Sequence, residues 1–185
     1  MGYNIKRVET LPELQTAFAS GFIDLFDECF GIAPYFLKYP DDELFKIYSD
    51  HVKTGFVLFA YSDDKLVGFA GSRPLMSDEY VDDEVKAFFR NPEEYFYHSD
   101  LGVAVSERGK GLAKLLIKES IFHTPTTKIL MRTKEDNAPS IALHMKMGFK
   151  PLDLTQVIKR KDSFGHDIDD KRIYLVYDKE RENSV

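Results

Sequence analysis

The sequence predicts an α/β fold: a mixed central sheet of about seven strands flanked by helices. Three observations predict it. Strand-like and helix-like runs alternate in the order β-α-α-β-β-(α)-β-α-β-α-β-β. With 43% hydrophobic and 30% charged residues, the 185-residue chain has the make-up of a globular protein that can bury a sizeable core. No internal repeat, low-complexity segment or linker divides it, so residues 1–185 read as one domain with a core at about 3–178.

Residues 3–8 read as a first strand. Pro12 opens a helical stretch with Leu14, Phe18, Phe22, Leu25, Phe26 and Phe30 at helical spacing, ended by Gly31 and Pro34. Asp41, Asp42 and Glu43 start a second, short helix, where acids complement the helix dipole. Residues 55–61 and 65–71 flank Ser62-Asp63-Asp64 as a hairpin. Residues 77–94 read as an acidic, partly helical excursion, with Val81, Val85, Phe88 and Phe89 at helical spacing. A strand at 95–105, a helix at 111–122, a strand at 128–133 and a helix at 139–147 follow. Gly148 suits a C-terminal cap. Residues 149–160 and 171–177 close as two strands joined by the polar stretch 161–170, and Lys179 to Val185 read as a frayed tail.

Composition excludes several classes. The net charge of −6 argues against a nucleic-acid partner, which calls for a basic surplus. Cys29 is the only cysteine, so neither an internal disulfide nor a cysteine zinc cluster can form. No metal is expected, since His51, His123 and His166 lack ligand spacing and read as surface or packing residues. No run approaches the roughly 18 apolar residues of a membrane span. The residues after Met1 lack the apolar stretch of a signal peptide, so a cytoplasmic protein is expected.

The chemistry concentrates at Leu101-Gly102-Val103-Ala104-Val105-Ser106-Glu107-Arg108-Gly109-Lys110-Gly111-Leu112-Ala113-Lys114. A strand feeds a glycine-containing loop that runs directly into a helix. Gly109 and Gly111 permit a tight turn and close approach of a ligand. The unpaired amides and positive dipole of the helix start suit a pyrophosphate. Lys110, Lys114 and Lys118, at i, i+4 and i+8, form a cationic ridge beside it. A phosphate-binding P-loop is excluded by the missing Lys-Ser/Thr pair, and a dinucleotide fingerprint by the glycine spacing.

Arg108-x-x-Gly111-x-Ala113, preceded by Leu101-x-Val103, resembles motif A of the GNAT N-acetyltransferases. Residues 137–149, with Asn137, Leu143 and the closing Gly148-Phe149, resemble the family's motif B. The resemblance implies the acyl-CoA N-acyltransferase fold and transfer of an acetyl group from acetyl-CoA to a primary amine of a small molecule or peptide by direct attack. It also implies that the strand before motif A splays from its neighbour to admit acetyl-CoA. Backbone groups of Leu101, Gly102 and Val103 would hold the pantetheine arm. The amides of Gly109, Lys110, Gly111, Leu112, Ala113 and Lys114 would hold the pyrophosphate, with Arg108 opening the loop. Asn137 would touch the pantetheine side, and it also suits a helix N-cap.

Direct attack needs a proton acceptor for the amine, a stabilised oxyanion and a proton for the leaving thiolate. The family's usual tyrosine, seven residues after the asparagine, is His144 here; an imidazole can serve the thiolate or can be a packing residue. Tyr95, Tyr97, Tyr174 and Tyr177 are the other nearby hydroxyls. The family's base positions on the strand fall at Ser99 and Tyr97. His98 and Asp100 are chemically better, Asp100 more so, but face the opposite side of a regularly alternating strand unless a bulge intervenes. For the acceptor, the eight acids between Asp78 and Asp100 point to an amine-rich molecule or to a solvated helix face. Arg73 and Arg132 point instead to a substrate carboxylate. A non-catalytic acyl-CoA-binding module of the same fold is the alternative, and a homodimer is compatible with either.

Overall fold

The computed structural model describes residues 2–182. After β1 (Asn4–Val8), Thr10 caps α1 (Leu11–Ala17): its hydroxyl accepts from the Glu13 amide at 3.4 Å while the Glu13 carboxylate accepts from the Thr10 amide at 3.1 Å. The helix expected to run from Pro12 to Phe30 is two helices. Gly21 at φ +100° and Ser20 at φ −100° interrupt it between Phe18 and Phe22, and α2 spans Ile23–Phe30. The apolar spacing carries across this break, so Leu14, Phe22, Leu25 and Phe26 all stay buried. Phe22 meets Tyr48, Phe59 and Phe69 edge-on at centroid distances of 4.7, 4.9 and 5.0 Å, each pair adding about 1 kcal/mol to simple burial. Tyr48 comes from α3 (Asp41–Thr54).

β2 (Phe56–Ser62) and β3 (Lys65–Pro74) form the expected hairpin, turning at Asp63 and Asp64 with φ of +47° and +64°. Then follow α4 (Asp83–Phe88), β4 (Tyr95–Val103), α5 (Leu112–His123), β5 (Lys128–Lys134), α6 (Ala138–Lys146), β6 (Lys150–Lys161), β7 (Asp167–Asp178) and the short α7 (Lys179–Glu182). The seven strands make one sheet in the order β1-β2-β3-β4-β5-β7-β6. β4 and β5 pair in parallel, and every other neighbouring pair is antiparallel.

Several boundaries differ from the sequence reading: β3 runs on from the expected residue 71 to Pro74, and α3 is 14 residues long where a short helix is expected. β4 ends at Val103, because Ala104 turns away into the loop. β6 and β7 extend into the polar stretch and leave only residues 162–166 as their connection. Cross-strand pairing of 12-residue strands outweighs local polarity there. Lys179–Glu182 forms a helical turn where a frayed tail is expected; the rest of that tail, 183–185, lies outside the described residues. Among the described residues no helix is long and apolar enough to cross a membrane.

Helices cover both faces of the sheet. Phe59, Phe69 and Tyr48 lie in the core shared with α1–α3, Tyr97, Leu130 and Tyr174 pack with Val81 and Val85, and Ile129, Met131 and Leu175 pack with Ile117 of α5 and Phe149.

Candidate active site

The sheet opens at its centre. β4 and β5 pair only from Tyr95↔Lys128 to His98↔Met131. Beyond that point β4 continues along β3 as far as Val103, while β5 continues along β7 as far as Lys134. Backbone groups of Ser99–Val103 that would face β5 are thereby released toward a cleft. A cavity of about 1130 Å³ fills the opening, walled by α2, α3, the loop before α5 and the start of α6. Gly102 lies on this stretch because Phe69 packs against its backbone: a Cβ there would meet the ring at 2.2 Å.

At one end of the cleft, Gly109 (φ +79°) and Gly111 (φ +92°) shape the loop, with open space where a Cβ would stand. Among the described residues, the amides of Gly109, Gly111, Leu112 and Ala113 make no hydrogen bond. The other two amides of the expected set are engaged: Lys110 with Glu107 O at 3.4 Å and Lys114 with Gly111 O at 3.1 Å, by the turn before the helix and by its first turn. Arg108 donates through Nε to Val103 O at 3.2 Å, tying the loop to the released strand. Lys110 pairs with Glu107 at 3.2 Å, and Glu107 also accepts from Tyr3 at 2.7 Å, so this lysine steadies the loop rather than standing free in a ridge. Cys29 lies in the cavity wall with its thiol pushed up to about 11 by burial, which keeps it protonated.

Asn137 fills both roles that its position allows. Its Oδ1 accepts from the Ser140 amide at 3.3 Å, capping α6. Its Nδ2 donates at 3.0 Å to the hydroxyl of Tyr35, which also meets Thr133 Oγ1 at 3.0 Å. Tyr35 reaches this point from the segment joining α2 to α3. A buried clasp holds that segment over the cleft. Asp170 accepts from Arg160 Nε at 2.8 Å and from Arg172 at 2.6 Å, and the Arg160 guanidinium reaches the carbonyl of Tyr35. Burial pushes the Asp170 carboxyl up, but hydrogen bonds from Arg172 and Arg160 outweigh it and hold the group below its ordinary range.

His144 is buried in the cavity wall. Its Nδ1 lies 2.8 Å from Ser140 O, so Nδ1 carries the proton and Nε2 is the lone-pair side. Burial lowers its pKa, keeping the ring neutral. In that form Nε2 accepts hydrogen bonds and offers none. Of the four tyrosines nearest in sequence, Tyr97 alone lines the cavity. Tyr35, Tyr39, Tyr48 and Tyr80 line it as well, brought from other elements.

The bulge that decides the face of Asp100 is present. Gly71 pairs with Asp100 and Ser72 with His98, leaving Ser99 unmatched. His98 turns toward α5, where Nε2 meets Thr124 Oγ1 at 3.2 Å; burial, with His144 nearby, pushes its pKa down to about 3. Ser99 and Asp100 both turn toward α3. Ser99 Oγ lies 2.6 Å from His51 Nε2, 3.1 Å from Gly71 O and 3.3 Å from Asp100 Oδ2, and His51 Nδ1 lies 2.8 Å from Ile47 O. Burial raises the Asp100 carboxyl above its ordinary range, and Asp78 adds to the shift. Burial also lowers His51, so its ring is neutral: Nδ1–H donates to Ile47 and Nε2 receives the Ser99 hydroxyl. Of the two readings its isolation in sequence left open, surface or packing, His51 takes the second: it is a packing residue with a polar edge at the cavity.

Three acids of the acidic segment are bonded within the protein, while Glu79, Asp83, Glu84 and Glu93 stay outside the cavity lining. Asp78 is buried, binds Arg73 Nε at 2.8 Å and accepts from the Tyr80 and Val81 amides. Asp82 caps α4 through the Val85 amide, and Glu94 pairs with Lys128 at 2.6 Å.

The residues that match the family model for acetyltransferases (GNAT family) are 19–149, and the chain belongs to that family. Its fold is that of solved acetyltransferases. Ribosomal-protein-alanine N-acetyltransferase from Brucella melitensis aligns at TM-score 0.66 and 20% identity over 95% of this chain and 99% of that one. A Salmonella typhimurium putative acetyltransferase, solved with its cofactor acetyl-CoA, aligns at 0.67 and 16% over 97% and 95%. Arabidopsis thaliana NAA60, solved with a bisubstrate analogue, aligns at 0.61 and 19% over 96% and 98%. No curated protein matches the sequence.

Proposed function

We propose that the protein transfers an acetyl group from acetyl-CoA to a primary amine by direct attack. The observation that carries this is the juxtaposition of the released β4 edge with the four free amides of the Gly109–Ala113 turn. The first suits the amide-rich pantetheine arm, and the second suits the pyrophosphate. Both belong to one cavity.

In this reading the acceptor arrives as an ammonium beside Asp100. The carboxylate takes one proton, leaving a neutral amine. A carboxyl raised by burial is a stronger base than an exposed one, which is what this step requires. The amine lone pair then forms the C–N bond at the thioester carbonyl carbon. The oxyanion is met by backbone N–H groups of the released β4 edge. The intermediate collapses, the C–S bond breaks, and the electron pair leaves on sulfur. The Tyr35 hydroxyl, anchored by Asn137, protonates the thiolate, since the neutral His144 presents only a lone pair at Nε2, and the second proton that the nitrogen sheds as the amide forms returns to the Tyr35 oxygen.

Calorimetric titration with acetyl-CoA and with CoA tests the reading, beside a Gly111→Glu variant that places a carboxylate in the anion site. Saturable binding by the wild type, lost in a folded variant, supports it. A folded wild type that binds neither ligand sinks it. Binding without turnover of any amine leaves the non-catalytic acyl-CoA module.

A further inference from the structure

Of the charged groups lining the cavity that make no ion pair among the described residues, Glu43, Arg108 and Lys114 are exposed to water, whereas Arg132 and Asp100 are drawn in from it. Arg132 stands on β5 just beyond the last residue paired with β4. Its Nη1 donates to Tyr80 O at 2.7 Å and to Gln156 Oε1 at 2.9 Å, and its guanidinium lies 5.8 Å from the centre of the Tyr97 ring. These partners are neutral, and among the described residues Arg132 makes no ion pair. Asp100, on the β4 side of the same opening, makes none either. A charge withdrawn from water without a counter-charge is costly, so two such groups of opposite sign in one cavity ask for a ligand bearing both.

They share a face of the sheet. Tyr97 pairs with Arg73 on one side and with Leu130 on the other, and Arg132 lies two residues beyond Leu130, on the same side of β5. The bulge at Ser99 turns Asp100 to that side. Tyr39 lies within electrostatic reach of both: its hydroxyl, pushed up first by burial and then by Asp100, is drawn back by Arg132. A third observation points the same way. Arg73 is buried and spends Nε on Asp78, yet its Nη2 has no hydrogen-bond partner. An orphaned guanidinium N–H in a cavity wall suits an additional acceptor oxygen.

We infer that the acceptor is a small zwitterion, an amine that also bears a carboxylate, with its ammonium received by Asp100 and its carboxylate held by Arg132 beside Arg73. This rests on the acetyl-transfer reading and narrows it. A free amino acid or the like fits; a polyamine does not, because it would set a cation against Arg132. Nor does the acidic segment favour a polyamine, since of the acids between residues 78 and 94 Asp78 alone lines the cavity, and it is already bonded to Arg73.

The test compares kcat/KM for free amino acids, for their carboxamides and for the matching decarboxylated amines, followed by CoA release, in wild type and in Arg132→Gln and Arg132→Lys. Acetyl-CoA affinity is measured separately by calorimetry. The wild type is expected to prefer the acid over the amide by about 100-fold, the worth of a lost hydrogen-bonded charge pair. Arg132→Gln should bring the two near parity while binding acetyl-CoA normally, with Arg132→Lys restoring part of the preference. Equal use of acid and amide by the wild type overturns the inference. So does a preference that survives in Arg132→Gln, or turnover of none of these amines by protein that binds acetyl-CoA. Absence of acetyl-CoA binding is a different failure and removes the acetyl-transfer reading itself.

Discussion

Ser99 Oγ lies 2.6 Å from His51 Nε2, although the two residues are 48 apart in sequence, and the same hydroxyl lies 3.3 Å from Asp100. The three form a short polar chain from the cavity into α3. It exists because Ser99 is the extra residue of a bulge, which brings it and Asp100 to one face.

Asp100→Asn is expected to lower kcat/KM about 100-fold or more near neutral pH, the usual worth of a positioned base. Because burial raises this carboxyl, the wild-type rate should fall with decreasing pH through a value above the ordinary carboxylate range. The asparagine variant should lack that limb. An unchanged pH–rate profile in Asp100→Asn would remove the residue from the mechanism.

The same shift has a stability counterpart. A carboxyl whose pKa is raised by folding favours the folded state below its unfolded pKa, and that advantage is lost as pH rises through the folded value. Asp100→Asn should therefore raise Tm at pH 7 and have little effect at pH 3. Thermal unfolding at both values checks this; a lower Tm at pH 7 would contradict it.

His51→Leu should move the acidic limb of the rate profile to higher pH without abolishing activity. In its protonated form His51 is the main influence opposing the upward shift of Asp100, and its lowered pKa confines that form to acidic pH, where the limb lies, so its loss lets the shift grow there. A limb that stays where it is would show that the Ser99 link carries no electrostatic coupling.

Asp170→Asn should destabilise the protein by about 3 kcal/mol, because it leaves Arg160 and Arg172 without their shared anion. The Asp170 carboxyl lies below its ordinary range, so its contribution is present above the unfolded carboxylate pKa and disappears as pH falls through the lower folded value. Denaturant titrations at neutral and acidic pH should show the difference between variant and wild type shrinking with acid. A constant difference would mean that packing, and not charge, is what the substitution removes.

Gly102→Ala should cost about 2 kcal/mol through collision with the Phe69 ring. Phe69→Leu combined with Gly102→Ala should recover part of the loss in a double-mutant cycle. Purely additive effects would refute the close contact.

What was legible in the sequence follows the range of the forces involved. The strands, α3, α5 and α6 were legible because their apolar spacing and end signals are local, as with the first-turn acid Asp41 and the closing Gly148. The turn at Gly109–Ala113 was legible for the same reason. Gly21 was less so, since the apolar spacing from Leu14 to Phe30 continues through the break. The face of Asp100 was not legible: it depends on one unmatched residue in the β3–β4 register. Tyr35 and His51 reach the cavity from segments remote in sequence, and no periodicity marks such a meeting. Arg73 and Arg132 were visible as arginines near strand ends; that one is paired and the other is not is a tertiary fact.

The joint between β4 and β5 is four residue pairs long. On one side of it β1–β3 carry the α3 wall, and on the other β5–β7 carry Arg132 and the Asp170 clasp. The aperture between them therefore behaves like the opening of a pair of tongs, set by a short pivot and by what bridges its tips. Changes far out on either arm, in β1 or in the β6–β7 ribbon, can retune which acceptors fit without replacing a single group that touches them.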